Sequence, residues 1–96
     1  MGFATADIFE VENVEIKEVG TDLVASVKMI NNTSEEFTTM LVIAQYNGNK
    51  FETCSVEPVS VSKNAGVIED SLTVAKDADT TSFKVFLWDT NLKPLW

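Results

Sequence analysis

Residues 37–46 read Phe-Thr-Thr-Met-Leu-Val-Ile-Ala-Gln-Tyr, and the middle of this stretch, Met40-Leu41-Val42-Ile43-Ala44, is apolar at five consecutive positions. Successive side chains of a strand point to opposite faces, so a strand with one wet face alternates apolar and polar residues. An unbroken apolar run that includes β-branched residues instead implies a strand covered on both faces. The stretch from about Phe37 to Tyr46 therefore reads as a central strand. Ser82 to Asp89 is the second of this kind, with Phe83, Val85 and Leu87 on one face and Phe86 and Trp88 on the other.

Outward from these two, shorter alternating segments appear. Leu23, Ala25, Val27 and Met29 share a face against Ser26 and Lys28, and Val14 and Ile16 alternate with Glu15 and Lys17. Val11 falls one residue out of phase, which predicts a bulge or a break near Glu12-Asn13. Phe51 to Val56 and Val59 to Val61 read as separate strands around Pro58, a residue that cannot donate to a ladder and so belongs at a sheet edge or a crossing between sheets. Val67 to Val74 keeps Ile68, Leu72 and Val74 in phase together with Asp70, which fits an edge position. Leu92 to Trp96, with Pro94 near its start, reads as a closing edge strand.

Turn signals separate these segments. They are Val19-Gly20-Thr21-Asp22, the polar run Asn31 to Glu36, Asn47-Gly48-Asn49, Ser62 to Gly66, and Lys76 to Thr81. Asn-Gly tolerates the positive φ of a tight hairpin. Val, Ile and Thr supply 27 of the 96 residues, and branched side chains favour the pleated surface of a sheet. The expectation is one all-β domain over 1–96, an immunoglobulin-like β-sandwich of two antiparallel sheets with seven to eight strands. Residues 1–7 are expected as a loosely ordered lead-in. An oligonucleotide-binding barrel is the rival topology.

Charge narrows the partners. Fifteen acidic residues face seven lysines and no arginine, giving a net charge of −8, and neutralising a phosphate backbone requires clustered Lys and Arg. Nucleic acid and anionic membrane surfaces are disfavoured. No apolar run approaches the length needed to cross a bilayer. The start, Met1-Gly2-Phe3-Ala4-Thr5-Ala6, lacks the basic and apolar regions of a signal peptide, so the chain is expected to be an excised or mature segment.

Several segments together resemble a known group: Leu23 to Thr33, Leu41 to Tyr46, Phe83-Lys84-Val85-Phe86-Leu87-Trp88-Asp89, and Leu92-Lys93-Pro94-Leu95. They are similar to the immunoglobulin-like or fibronectin-III-like accessory modules of large secreted or surface-attached proteins of Gram-positive bacteria, polysaccharide-degrading enzymes among them. The likeness runs from about Ile8 onward. It implies an extracellular or cell-surface setting and a non-catalytic role beside neighbouring domains of the same parent protein. It carries over no binding residue.

The residues themselves limit the chemistry. With no histidine in the chain, Ser-His-Asp and Cys-His arrangements are impossible, and the reading is of a protein that is not an enzyme. No cofactor or metal site is expected. Asp77-Ala78-Asp79 is the best stretch for oxygen ligands to calcium, yet two acids in a polar turn read more simply as solvated turn formers. Cys54, flanked by Thr53 and Ser55, reads as a small buried side chain. For the alternative function, polysaccharide binding, the candidate aromatics are Tyr46 beside its turn and Trp96 at the chain end. Trp88 is expected to fill the space between the sheets.

Overall fold

A computed structural model describes residues 8–96, and the expected lead-in at residues 1–7 lies outside them. Among the described residues there are six strands and no helix: β1 (Phe9–Val19), β2 (Asp22–Asn31), β3 (Phe37–Asn47), β4 (Lys50–Val61), β5 (Gly66–Ala75) and β6 (Ser82–Asp89). They form two antiparallel sheets of three strands, ordered β1-β2-β5 and β4-β3-β6. The chain is all-β. Its two-sided apolar strand, β3, occupies the centre of its sheet.

The strand count corrects the expectation of seven or eight. The two segments flanking Pro58 are one strand, β4, in which Pro58 stands opposite Met40. Because β4 lies at an edge, one side of its ladder is unpaired, and the missing N–H costs no hydrogen bond there. The chain end makes no further strand. Asp89 Oδ1 accepts the N–H groups of Asn91 and Lys93 at 2.8 and 2.9 Å, and Leu92 takes a left-handed φ of 63°. This sharp reversal leaves the returning segment a single bridge, Trp88 to Pro94.

Other expectations hold in detail. The register of β1 on β2 shifts between Val11 and Asn13, which is the predicted bulge. Two-residue loops join β1 to β2 and β3 to β4, with Gly20 and Gly48 at φ 61° and 60° followed by residues of ordinary φ. These are the φ signs of type II′ turns, whose twist matches that of the strands.

One apolar layer lies between the sheets. The β1-β2-β5 sheet contributes Val14, Leu23, Ala25, Val27 and Met29, and the β4-β3-β6 sheet contributes Leu41, Ile43, Val59, Val61 and Leu87. Across the layer β1 neighbours β6 and β5 neighbours β4. Asp70, in phase with the core, stands opposite Val27 but remains exposed because β5 is an edge. Glu57 stands opposite Leu41 on edge strand β4 and is exposed likewise. Charges turned inward on edge strands discourage pairing with another sheet.

Each end of the layer is closed by a buried amide on a central strand. Asn31, at the end of β2, donates Nδ2–H to the carbonyls of Glu35 (2.9 Å) and Ser62 (3.0 Å), and its Oδ1 accepts from Thr33 N (3.0 Å) and Thr33 Oγ1 (2.7 Å). Gln45, near the end of β3, donates Nε2–H to Ala75 O (3.2 Å) and accepts at Oε1 from Asp77 N and Thr80 Oγ1, both 2.8 Å. Each amide thus ties its own sheet to chain leaving the opposite one. Among the described residues no buried side-chain nitrogen or oxygen lacks a partner.

Two substitutions test this construction by urea denaturation. Leu87→Ala empties part of the layer and is expected to cost about 2–5 kcal/mol. Gln45→Leu keeps the apolar bulk but strands Asp77 N and Thr80 Oγ1, with an expected loss of about 1–3 kcal/mol. A neutral Gln45→Leu would show that the amide does not hold the loop.

Candidate functional site

The outward faces of the two sheets differ in kind. Pairing places Glu10, Glu15, Lys17, Asp22, Lys28 and Glu69 on the outer face of β1-β2-β5. On the outer face of β4-β3-β6, the only charged residue among the paired positions is Lys84, with Glu52 bordering at the bulge where Gln45 and Tyr46 shift register against β4. A water-facing sheet usually carries polar side chains there. This one carries apolar ones.

Four rungs build the face, each centred on β3. Met40 lies between Pro58 and Trp88, and Val42 lies between Val56 and Phe86. Ala44 follows between Cys54 and Lys84, and Tyr46 between Phe51 and Ser82. Large neighbours shade the small central side chains, so Val42 and Ala44 are only 2% and 4% exposed although no second sheet among the described residues covers them. Phe51 is 55% exposed and Val56 46%. The Phe86 and Trp88 rings stack on each other at 5.3 Å and 27°. At the other end Lys84 Nζ sits 5.4 Å from the Tyr46 ring centre, and Phe51 meets Tyr46 edge-on at 6.0 Å.

The position of Trp88 corrects the expectation that it fills the space between the sheets. Alternation lets β6 turn only one of its two apolar sets inward. Phe83, Val85 and Leu87, aligned with Gln45, Ile43 and Leu41, take that side, which sends Phe86 and Trp88 outward. Cys54 is a second correction: it is exposed, because it projects from edge strand β4 beside Ala44.

The two aromatics singled out by sequence share a side but do not meet. Tyr46 lies at one end of the face. Trp96, 59% exposed, follows the Trp88–Pro94 bridge by two residues, so alternation sends it to the side of Phe86, two rungs from Tyr46. At roughly 3.4 Å per residue that separation is about 14 Å along the strand. Phe51, Phe86 and Trp88 complete the aromatic set, and for the last two the two-residue spacing Lys84, Phe86, Trp88 along β6 was the available signal.

Asp77 and Asp79 are exposed and stay in their turn, where the Asp77 N–H is held by Gln45 and its carbonyl by Thr80 N at 3.1 Å. No group of three His, Cys, Asp or Glu side chains among the described residues is placed to hold a metal ion. The opposite sheet has an open groove of about 370 Å³ over Asn13, Glu15, Ser26, Lys28, Glu69 and Ser71. Its Lys28 pairs with Glu12 at 3.6 Å, and its floor is an ordinary polar sheet surface. No protein-family model, curated protein or solved structure matches the chain.

If the apolar face serves an occupant and not the fold, removing its exposed bulk should leave stability nearly unchanged. Phe51→Thr and Val56→Thr keep or add β-branching and are each expected to shift unfolding free energy by less than about 1 kcal/mol. Losses as large as that of Leu87→Ala would make the face part of the core.

Proposed function

We propose that this chain is a non-catalytic interaction module, an immunoglobulin-like or fibronectin-III-like sandwich that orients neighbouring domains of a secreted or surface bacterial protein. The observation that carries the docking role is the nearly charge-free outer face of β4-β3-β6. Interface centres are depleted of charge and rich in aromatic residues and Met, and contiguous exposed apolar surface marks interaction sites.

The strand order supports the fold family. β1, β2 and β5 correspond to the A, B and E strands of an immunoglobulin-like sandwich, and β4, β3 and β6 to C′, C and F. The chain end lies beside β6, where a G strand would pair. The extracellular, bacterial setting is supported by the resemblance of the strand segments.

Polysaccharide binding is the weaker reading because sugar rings stack on free, flat aromatic faces. Lys84 lies over the Tyr46 ring, and Phe86 and Trp88 cover each other. Tryptophan fluorescence titrated with soluble plant and bacterial polysaccharides tests the choice. No saturable change is expected; a saturable shift lost on Trp96→Ala would replace the docking reading with a carbohydrate-binding one.

A further inference from the structure

We propose that the occupant of the β4-β3-β6 face is the same face of a second copy of this chain, an inference that rests on the docking reading and takes the neighbouring domain it docks to be another copy of this one. Two chains of net charge −8 repel each other, and carboxylates brought together without cations oppose association. The opposite sheet, with Glu10, Glu15, Asp22 and Glu69 against only Lys17 and Lys28, would bring two net-negative faces together. The β4-β3-β6 face brings no paired carboxylate into contact and leaves the acidic sheets outermost in water.

Edge-to-edge association has obstacles on every edge. The β1 edge carries the bulge at Val11/Asn13, and β5 carries inward-turned Asp70. On β4 stand Pro58 and Glu57, and β6 is overlaid by the returning chain, whose Leu95 N–H donates to Leu87 O at 2.8 Å. These are the devices that keep sheets from extending into one another. The broad face is what remains for self-association.

The face is also complementary to itself. A two-fold axis in its plane and perpendicular to the strands, passing between the Val42 and Ala44 rungs, lays strand over antiparallel strand and exchanges the rungs pairwise. Val42 then falls over Ala44 of the second copy, a larger side chain over a smaller one. Tyr46 falls over Met40, and Phe51 over Pro58. Lys84 falls over Phe86 of the second copy, at the rim of the Phe86–Trp88 stack. Each contact occurs twice, as an isologous pair requires.

Size sets the strength. Four rungs at roughly 3.4 Å per residue and three strands about 4.8 Å apart give a footprint of about 20 by 14 Å per copy. That is well below the roughly 800 Å² per partner of a tight complex, so the pair forms reversibly at high concentration.

Sedimentation velocity on the full chain between about 5 and 500 µM, a range suited to weak pairing, is combined with the alkylation rate of Cys54, which lies inside the face. The proposal expects a shift from monomer toward dimer, Cys54 alkylation slowed at least threefold at the upper concentration, and stronger association at high salt as charge repulsion is screened. Lys84→Glu and Val56→Asp, each checked for an unchanged near-ultraviolet spectrum, should both return the monomer. A monomer at every concentration with constant Cys54 reactivity overturns the pairing, as does a dimer that leaves Cys54 reactive or persists in both variants. Failure of the docking reading itself registers separately, as destabilisation by Phe51→Thr and Val56→Thr.

Discussion

The structure depends on one apolar layer having to be closed at both ends by side chains that are themselves polar. Two three-stranded sheets can bury Leu23, Met29, Leu41, Ile43 and Leu87 between them only if the chain crosses from one sheet to the other, and each crossing exposes backbone groups at the rim of the core. Asn31 and Gln45 resolve this conflict. Each sits on the central strand of its sheet and is essentially buried; Gln45 spends both its carbonyl and its amide on chain leaving the other sheet, while Asn31 reaches Ser62 beyond β4 with its amide and holds its own outgoing loop at Thr33 with its carbonyl. A buried amide left without partners would destabilise the fold by an amount comparable to a large cavity, so these two residues fix how far one sheet can slide over the other.

That anchoring fixes the course of a loop with two acidic residues. The turn at Asp77 to Thr80 is held from beneath by Gln45, whose Oε1 accepts two hydrogen bonds from it. Thr81 continues the attachment by bonding to the β3–β4 hairpin, through its N–H to Tyr46 O at 2.8 Å and its Oγ1 from Gly48 N at 2.7 Å. The acidic side chains of the turn are then free to remain in water, where their charge costs least.

Much of the fold was legible in sequence because alternation is a direct record of which side chains face water. The bulge at Val11/Asn13, the central place of β3 and the hairpin at Gly48 all followed from local chemistry. Pro58 does stand at an edge, one of the two places its sequence allowed, but reading it also as a break between strands misled, because an edge strand runs through a proline without losing a ladder bond. Trp88 misled for a different reason. Where both faces of a strand are apolar, as in β6, period two separates the faces without saying which one meets the core. Gln45 gave no signal at all: a polar residue at the end of an apolar run reads as the strand's exit into solvent, and only its long-range partners reveal that it is buried.

The same ambiguity in β3 and β6 is what gives the molecule its two unlike sides. A strand with a mostly polar outer face is sufficient for a two-layer core, and β2 shows this, with Asp22, Ser26 and Lys28 turned outward beside Val24 and Ile30. In β3 and β6 the second apolar set adds nothing to the layer between the sheets, since Met40, Val42, Phe86 and Trp88 all point away from it. Apolar residues are costly to leave in water, and the opposite sheet of this chain shows that a polar outer face is compatible with the fold. The outer set on β4-β3-β6 is therefore not demanded by the layer between the sheets.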